Sequence, residues 1–172
     1  MAKEVYISKK PNRLKGFFSL LVIGFLIALF LRAILNDRKD PEINNSEVSL
    51  IVEDWKRDIS EIGLDGDELI KRLDYISVVD SIPHGFLNQQ KTRDIMGRSD
   101  WGSRSIYILN RGYSPGQLKA LIYHELAHYM FDIKHGEKHE IMATYIKEEP
   151  GYYRLNWDYL LELYLEKCKQ AR

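Results

Sequence analysis

A long apolar run near the N-terminus constrains this 172-residue chain more than any other feature. Between Lys15 and Arg32 no side chain carries a charge, and the apolar character continues to Leu35. A helix over residues 16–35 would be about 30 Å long, which matches the thickness of the hydrocarbon core of a bilayer. The sequence therefore predicts one transmembrane anchor over residues 16–35.

The charges on either side of this run predict its orientation. Five basic residues and one acidic residue precede it, whereas basic and acidic residues alternate after it. The positive-inside rule then places residues 1–15 in the cytoplasm as a basic tail, and everything after the anchor on the extracytoplasmic side of the membrane. A cleaved signal peptide is the alternative, but residues 33–36 contain no small-x-small cleavage site.

The remaining residues divide into a linker and one domain. Residues 36–45 are polar and contain Pro41, which is typical of a linker, and residues 46–172 are numerous enough for one domain with its own core. Lys and Arg number 25, and so do Asp and Glu, so the balance of charge argues against a nucleic-acid partner. Since Cys168 is the single cysteine, any metal site must use His, Asp or Glu.

Hydrophobic spacing and turn residues predict the helices and strands of residues 46–172. The predicted helices are Ser46 to Gly63, Asp67 to Leu73, a helix that opens at Ser114-Pro115 and leaves at His135-Gly136, and Trp157 to Lys169 with Asn156 as its cap. The predicted strands are Tyr75 to Val79 and Ser105 to Leu109, which are rich in β-branched and aromatic residues. Together they predict an α+β domain.

The sequence HELAH at residues 124–128 is the motif that carries chemistry. Two histidines four residues apart lie about 40° apart around a helix, so His124 and His128 can both reach one zinc ion at about 2.0 to 2.1 Å. Glu125 is rotated about 100° from His124, toward the position of a metal-activated water. We therefore expect a zinc-dependent hydrolase in which Glu125 is the general base.

The longer run HELAHYMFDIKHGEKHEIM resembles the zincin metallopeptidases, and more narrowly the metzincins. In that group a third histidine and a methionine-containing turn follow the zinc helix, and Ile141-Met142 resembles this turn. The strand SIYIL resembles the edge strand that pairs with extended substrate, and NWDYLLELYLEKC resembles the C-terminal helix. The resemblance implies a zincin-like mixed sheet with a zinc helix and a C-terminal helix, and a membrane-anchored zinc metallopeptidase that cleaves protein or peptide substrates.

The third metal ligand predicted from this resemblance is His135. Phe131 stands where the family has the glycine that ends the zinc helix, and His135 comes one residue later than the family's third histidine. On an unbroken helix His135 would lie about 16 Å along the axis from His124, so the helix must instead end soon after His128. The alternative third ligands are Glu140, Glu148, Glu149 and His139.

Two other functions are compatible with the same sequence. One is a catalytically inactive zincin-fold binding or scaffold protein, and the other is an anchored domain that presents a surface to a partner. His84 and His139 stand in polar segments and are interpreted as solvated side chains. Asp132 could orient His128 or be a plain surface charge. Tyr145, Tyr152 and Tyr153 could stabilise a developing oxyanion or pack the C-terminal helix, and packing is the expected role.

Overall fold

The computed structural model describes residues 22–27, 39–82, 96–136 and 140–171. The chain divides into two compact units, Met1–Arg38 and Lys39–Arg172. In the first unit residues 22–27 are helical, and the rest of the predicted anchor, together with the basic tail, lies outside the described residues. Among the residues that are described, no helix combines the length and the apolar character needed to cross a membrane.

The second unit is an α+β fold with a mixed sheet, as the sequence predicts. Its elements are β1 (Glu42–Ile43), α1 (Ser46–Glu61), α2 (Gly66–Ile70), β2 (Tyr75–Val79), β3 (Gly97–Asp100), β4 (Ser105–Leu109), α3 (Pro115–Phe131) and α4 (Tyr152–Gln170). The sheet has the order β1-β2-β4-β3. β1, β2 and β4 are parallel, and β3 runs antiparallel to β4.

The hydrophobic core lies between the helices and one face of the sheet. Ile76 on β2 and Ile106 and Ile108 on β4 are fully buried, and residues between them in the strands are more exposed. This alternation follows from the two-residue period of a strand with one covered face. α3 contacts β3, β4, α1 and α4, so the motif helix is the central helix of the unit.

The position of SIYIL in the sheet corrects one expectation. This segment is β4, and it lies between β2 and β3 rather than at an edge. Of the described strands, the edge strand beside α3 is β3, which lies between the two predicted strands in a stretch where the sequence predicts none. Its sequence GRSD has low β-propensity, and it forms a strand because it pairs with β4 from Gly97↔Ile108 to Asp100↔Ser105.

The two ends of α3 differ in how well local sequence predicts them. Ser114 and Gln117 form a capping box at the N-terminus, followed by Pro115, as expected. The predicted exit at His135-Gly136 is wrong, because α3 ends at Phe131 and Asp132 takes a left-handed conformation with φ of 51°. Aspartate tolerates this conformation better than most residues, so the chain turns without a glycine. The expectation that the helix stops soon after His128 is confirmed.

α4 begins five residues before the predicted Trp157, directly after Gly151, whose φ is 77°. The predicted cap, Asn156, lies inside the helix and its Nδ2 donates to the Tyr152 carbonyl at 2.8 Å. The added turn buries Tyr153, whose hydroxyl accepts from the Lys147 N–H at 3.0 Å. Packing, the expected role of Tyr152 and Tyr153, is confirmed, since their two rings also pack edge to face with centroids 5.3 Å apart.

Part of the predicted linker is ordered against the sheet. Glu42–Ile43 form β1, and the amide side chain of Asn44 both donates to and accepts from the backbone of Val78. The next residue, Asn45, is the N-cap of α1, because its Oδ1 accepts from the N–H groups of the first turn, and Ser46 is the first residue of the helix, as predicted.

Candidate metal centre

Three histidines come together at the C-terminal end of α3. His124 and His128 project from α3, and the turn after Phe131 brings His135 back toward them. The ring centroids lie 4.5 Å apart for His124 and His128, 5.2 Å for His124 and His135, and 4.9 Å for His128 and His135. Their ligand atoms all lie within 4.8 Å of one another, so this group could hold a metal ion. No other group of three or more His, Cys, Asp or Glu in the described ranges does so.

Backbone carbonyls orient two of these imidazoles. The His124 Nδ1–H donates to the Ile141 carbonyl at 2.9 Å, and the His128 Nδ1–H donates to the Ile133 carbonyl. A carbonyl only accepts, so both Nδ1 atoms carry protons and both Nε2 atoms present lone pairs. These two Nε2 atoms lie 2.9 Å apart. Two lone pairs repel each other at this distance unless a positive charge lies between them, so the donor set fits a cation.

Burial keeps these ligands in the form that binds metal. It lowers the pKa of His124 to about 4, and it also lowers the pKa of His128. Both imidazoles are therefore neutral near pH 7, as metal ligation requires. His135 is exposed, so the centre opens to solvent on that side.

Glu125 lies on a different side of α3 from the histidines and faces β3. Its side chain is 5% exposed, and burial raises the pKa of its carboxyl to about 8. Hydrogen bonding by the hydroxyl and the backbone N–H of Ser99 acts in the opposite direction and lowers this pKa, and so does the charge of Arg98. A Cβ atom on Gly97 would lie 2.8 Å from the Glu125 Oε1, so β3 can approach this closely only because residue 97 has no side chain.

An open cleft of about 450 Å³ joins the histidines to Glu125. One wall is β3, and the other is the segment Ala143 to Ile146. Tyr145 lines this cleft and is 66% exposed, which corrects the expectation that it packs the C-terminal helix. Met142 is buried, and its carbonyl accepts from the Gly136 N–H at 2.6 Å, which ties the loop carrying His135 to this wall.

The other predicted ligands that the structure describes are not part of the histidine group. Glu140 pairs with Lys167 of α4 at 3.2 Å, and Glu148 and Glu149 are exposed. Asp132 does not orient His128, since the backbone of Ile133 has that role and Asp132 pairs with Lys134. His84 and His139 lie outside the described residues.

Sequence reasoning missed Gly97 and Ser99. Little in the sequence indicates their role. They belong to a short polar segment, which is followed by the turn at residues 101–104 and then by the strand SIYIL. Comparison of the chain with protein-family models, with curated proteins and with solved structures gives no match.

Proposed function

We propose that this protein is a zinc-dependent metallopeptidase of the zincin type, anchored in a membrane by its N-terminal segment with the catalytic domain on the extracytoplasmic side. In this proposal His124, His128 and His135 hold the zinc ion and Glu125 is the general base. The observation that carries the proposal is the convergence of three imidazoles beside a buried carboxyl group in one cleft.

The ligand set favours zinc in a catalytic rather than a structural site. Imidazole nitrogen is a ligand that zinc prefers, and structural zinc sites are usually closed by four protein ligands. Here the described residues contribute three nitrogen ligands, and the exposed side of His135 faces solvent. A fourth position therefore remains for water or substrate.

Glu125 and the histidines have distinct roles in the proposed peptide hydrolysis. A bound zinc ion would polarise the scissile carbonyl and lower the pKa of water. Glu125 accepts a proton from the attacking water and then delivers it to the leaving amine, which needs a carboxyl group with a pKa raised toward neutrality. The carbonyls of Ile141 and Ile133 keep the ligand nitrogens of His124 and His128 directed at the metal.

The edge strand β3 supports a protein or peptide substrate. Among the described residues it pairs only with β4, and it forms one wall of the cleft. An extended peptide can add to such an edge through main-chain hydrogen bonds, which would lay its backbone beside Glu125. This substrate pairing belongs to β3 and not to SIYIL.

The test compares three full-length chains purified in detergent: wild type, Glu125→Gln and His124→Ala. Zinc is measured by mass spectrometry, and hydrolysis is measured with a library of quenched fluorescent peptides. We expect Glu125→Gln to retain one zinc ion per chain and to lose about 100-fold or more of the turnover, because Glu125 is not a ligand. His124→Ala should lose the zinc.

Three outcomes would contradict the proposal. Wild-type protein without zinc would exclude the metal centre, and unchanged hydrolysis by Glu125→Gln would exclude the mechanism. Zinc binding without hydrolysis of any peptide would favour a zincin-fold binding or scaffold protein.

A further inference from the structure

The hydrogen-bond pattern of β3 leaves the backbone of Ser99 directed at the free edge. The Leu109 N–H donates to the Met96 carbonyl at 2.8 Å, so these two residues form a hydrogen-bonded pair. Such pairs alternate along an antiparallel ladder, so Arg98↔Tyr107 is the next one, and Ser99↔Ile106 is a pair without hydrogen bonds. The N–H of Ser99 therefore points away from β4.

The side chains of positions 97 and 99 face α3. Their partners Ile108 and Ile106 are fully buried on the face of the sheet that the helices cover, and paired residues share a face. The closeness of Gly97 to Glu125 agrees with this direction, since an added Cβ would lie 2.8 to 3.1 Å from three atoms of that side chain. The side chain of Ser99 therefore lies on the face of β3 that contacts Glu125, and its N–H points away from β4.

A carboxylate as buried as Glu125 needs hydrogen-bond donors to be ionised. Ser99 lines the same cleft as Glu125 and offers two donors, its hydroxyl and its N–H, and both act to lower the pKa of Glu125. Two donors from a single residue restrict both the place and the tilt of the carboxylate, because the N–H is fixed by the sheet. A general base has to be held to within about 0.5 Å of its productive position.

We propose that Ser99 is a positioning residue, which aims the Glu125 carboxylate into the cleft through its hydroxyl and its backbone N–H. The catalytic consequence rests on the proposed function of Glu125 as general base. The alternative is that Ser99 only packs β3 against α3. The two roles predict different results for variants that keep the Ser99 hydroxyl and variants that remove it.

The kinetic test compares full-length wild type with Ser99→Ala, Ser99→Thr and Ser103→Ala. Ser99→Ala should lower kcat roughly 10-fold at unchanged zinc content, with KM within about twofold. Ser99→Thr keeps a hydroxyl and should restore kcat to within about threefold of wild type. Ser103 lies in the turn after β3, where its hydroxyl donates to the Asp100 carboxylate and not to Glu125. The kcat of Ser103→Ala should therefore equal that of wild type.

The proposal is overturned if Ser99→Ala keeps the wild-type kcat. It is also overturned if Ser99→Ala and Ser99→Thr lose kcat equally and in proportion to a loss of thermal stability, since that result indicates packing alone. A rise in KM without a change in kcat would place Ser99 in substrate binding and would likewise overturn it.

A second readout needs neither zinc nor substrate. In ¹H–¹⁵N spectra of the full chain in detergent, Glu125→Ala should move the Ser99 amide proton and weaken its protection from exchange. The Arg98 amide, which pairs with β4, should keep its protection. An unmoved Ser99 amide overturns the contact itself. If wild type hydrolyses nothing, the proposed function fails, and the amide measurement still decides the contact between Ser99 and Glu125.

Discussion

Replacing Gly97 by alanine should separate catalysis from stability. The added Cβ would lie 2.8 Å from the Glu125 Oε1, whereas ordinary contacts begin at 3.4 Å, so the carboxylate must move by 3.4 − 2.8 = 0.6 Å. A misplacement of about 1 Å can cost roughly 100-fold in rate, so we expect a loss of kcat of about 10- to 30-fold. The displaced atoms, Oε1, Cδ and Cγ, belong to one side chain and not to backbone, so the free energy of unfolding should change by less than about 1 kcal/mol.

The assay measures peptide hydrolysis, zinc content and thermal unfolding on the same preparations, with two glycines as controls. Gly102→Ala should change none of these, since the nearest atom to its new Cβ is 3.6 Å away. Gly66→Ala meets the Lys56 carbonyl oxygen at 2.6 Å, so it should cost about 1 to 3 kcal/mol of stability and leave kcat of the folded enzyme unchanged. Wild-type kcat in Gly97→Ala would refute the assigned position of Glu125.

Three further predictions concern metal binding, the core and topology. His135→Ala should weaken zinc affinity by about 100-fold or more in a competition titration with a chelator, whereas Glu140→Gln should change it little; the reverse order would move the third ligand to Glu140. Tyr164→Phe should cost about 1 to 3 kcal/mol in urea unfolding, because the buried Trp55 Nε1–H loses the acceptor that it contacts at 2.9 Å, and an unchanged midpoint would contradict this. Protease added outside intact cells should release the residues beyond Asn45, and their protection would reverse the predicted orientation.

Local sequence was sufficient for the part of the centre that lies on α3. The spacing of His124 and His128 and the Ser114-Pro115 start depend on helical geometry and capping, which act within a few residues. The approach of His135 was implied by the resemblance, which calls for a third histidine, and helix geometry added that the helix must end first, since an unbroken helix would carry His135 about 16 Å from His124. Turn residues alone predicted the end of the helix too late, at His135-Gly136, because Asp132 and not a glycine takes the left-handed conformation.

Only the tertiary structure decided what surrounds Glu125. The segment GRSD has no strand periodicity, and it becomes the edge strand because β4 offers it a pairing partner. Its antiparallel register with β4 then directs Ser99 at Glu125 and places Gly97 where no side chain fits. Spacing along one helix determines which residues share a face, whereas pairing between distant segments depends on the whole fold. The sequence alone therefore predicted the pair His124 and His128, but it could not predict which residues surround the proposed base Glu125.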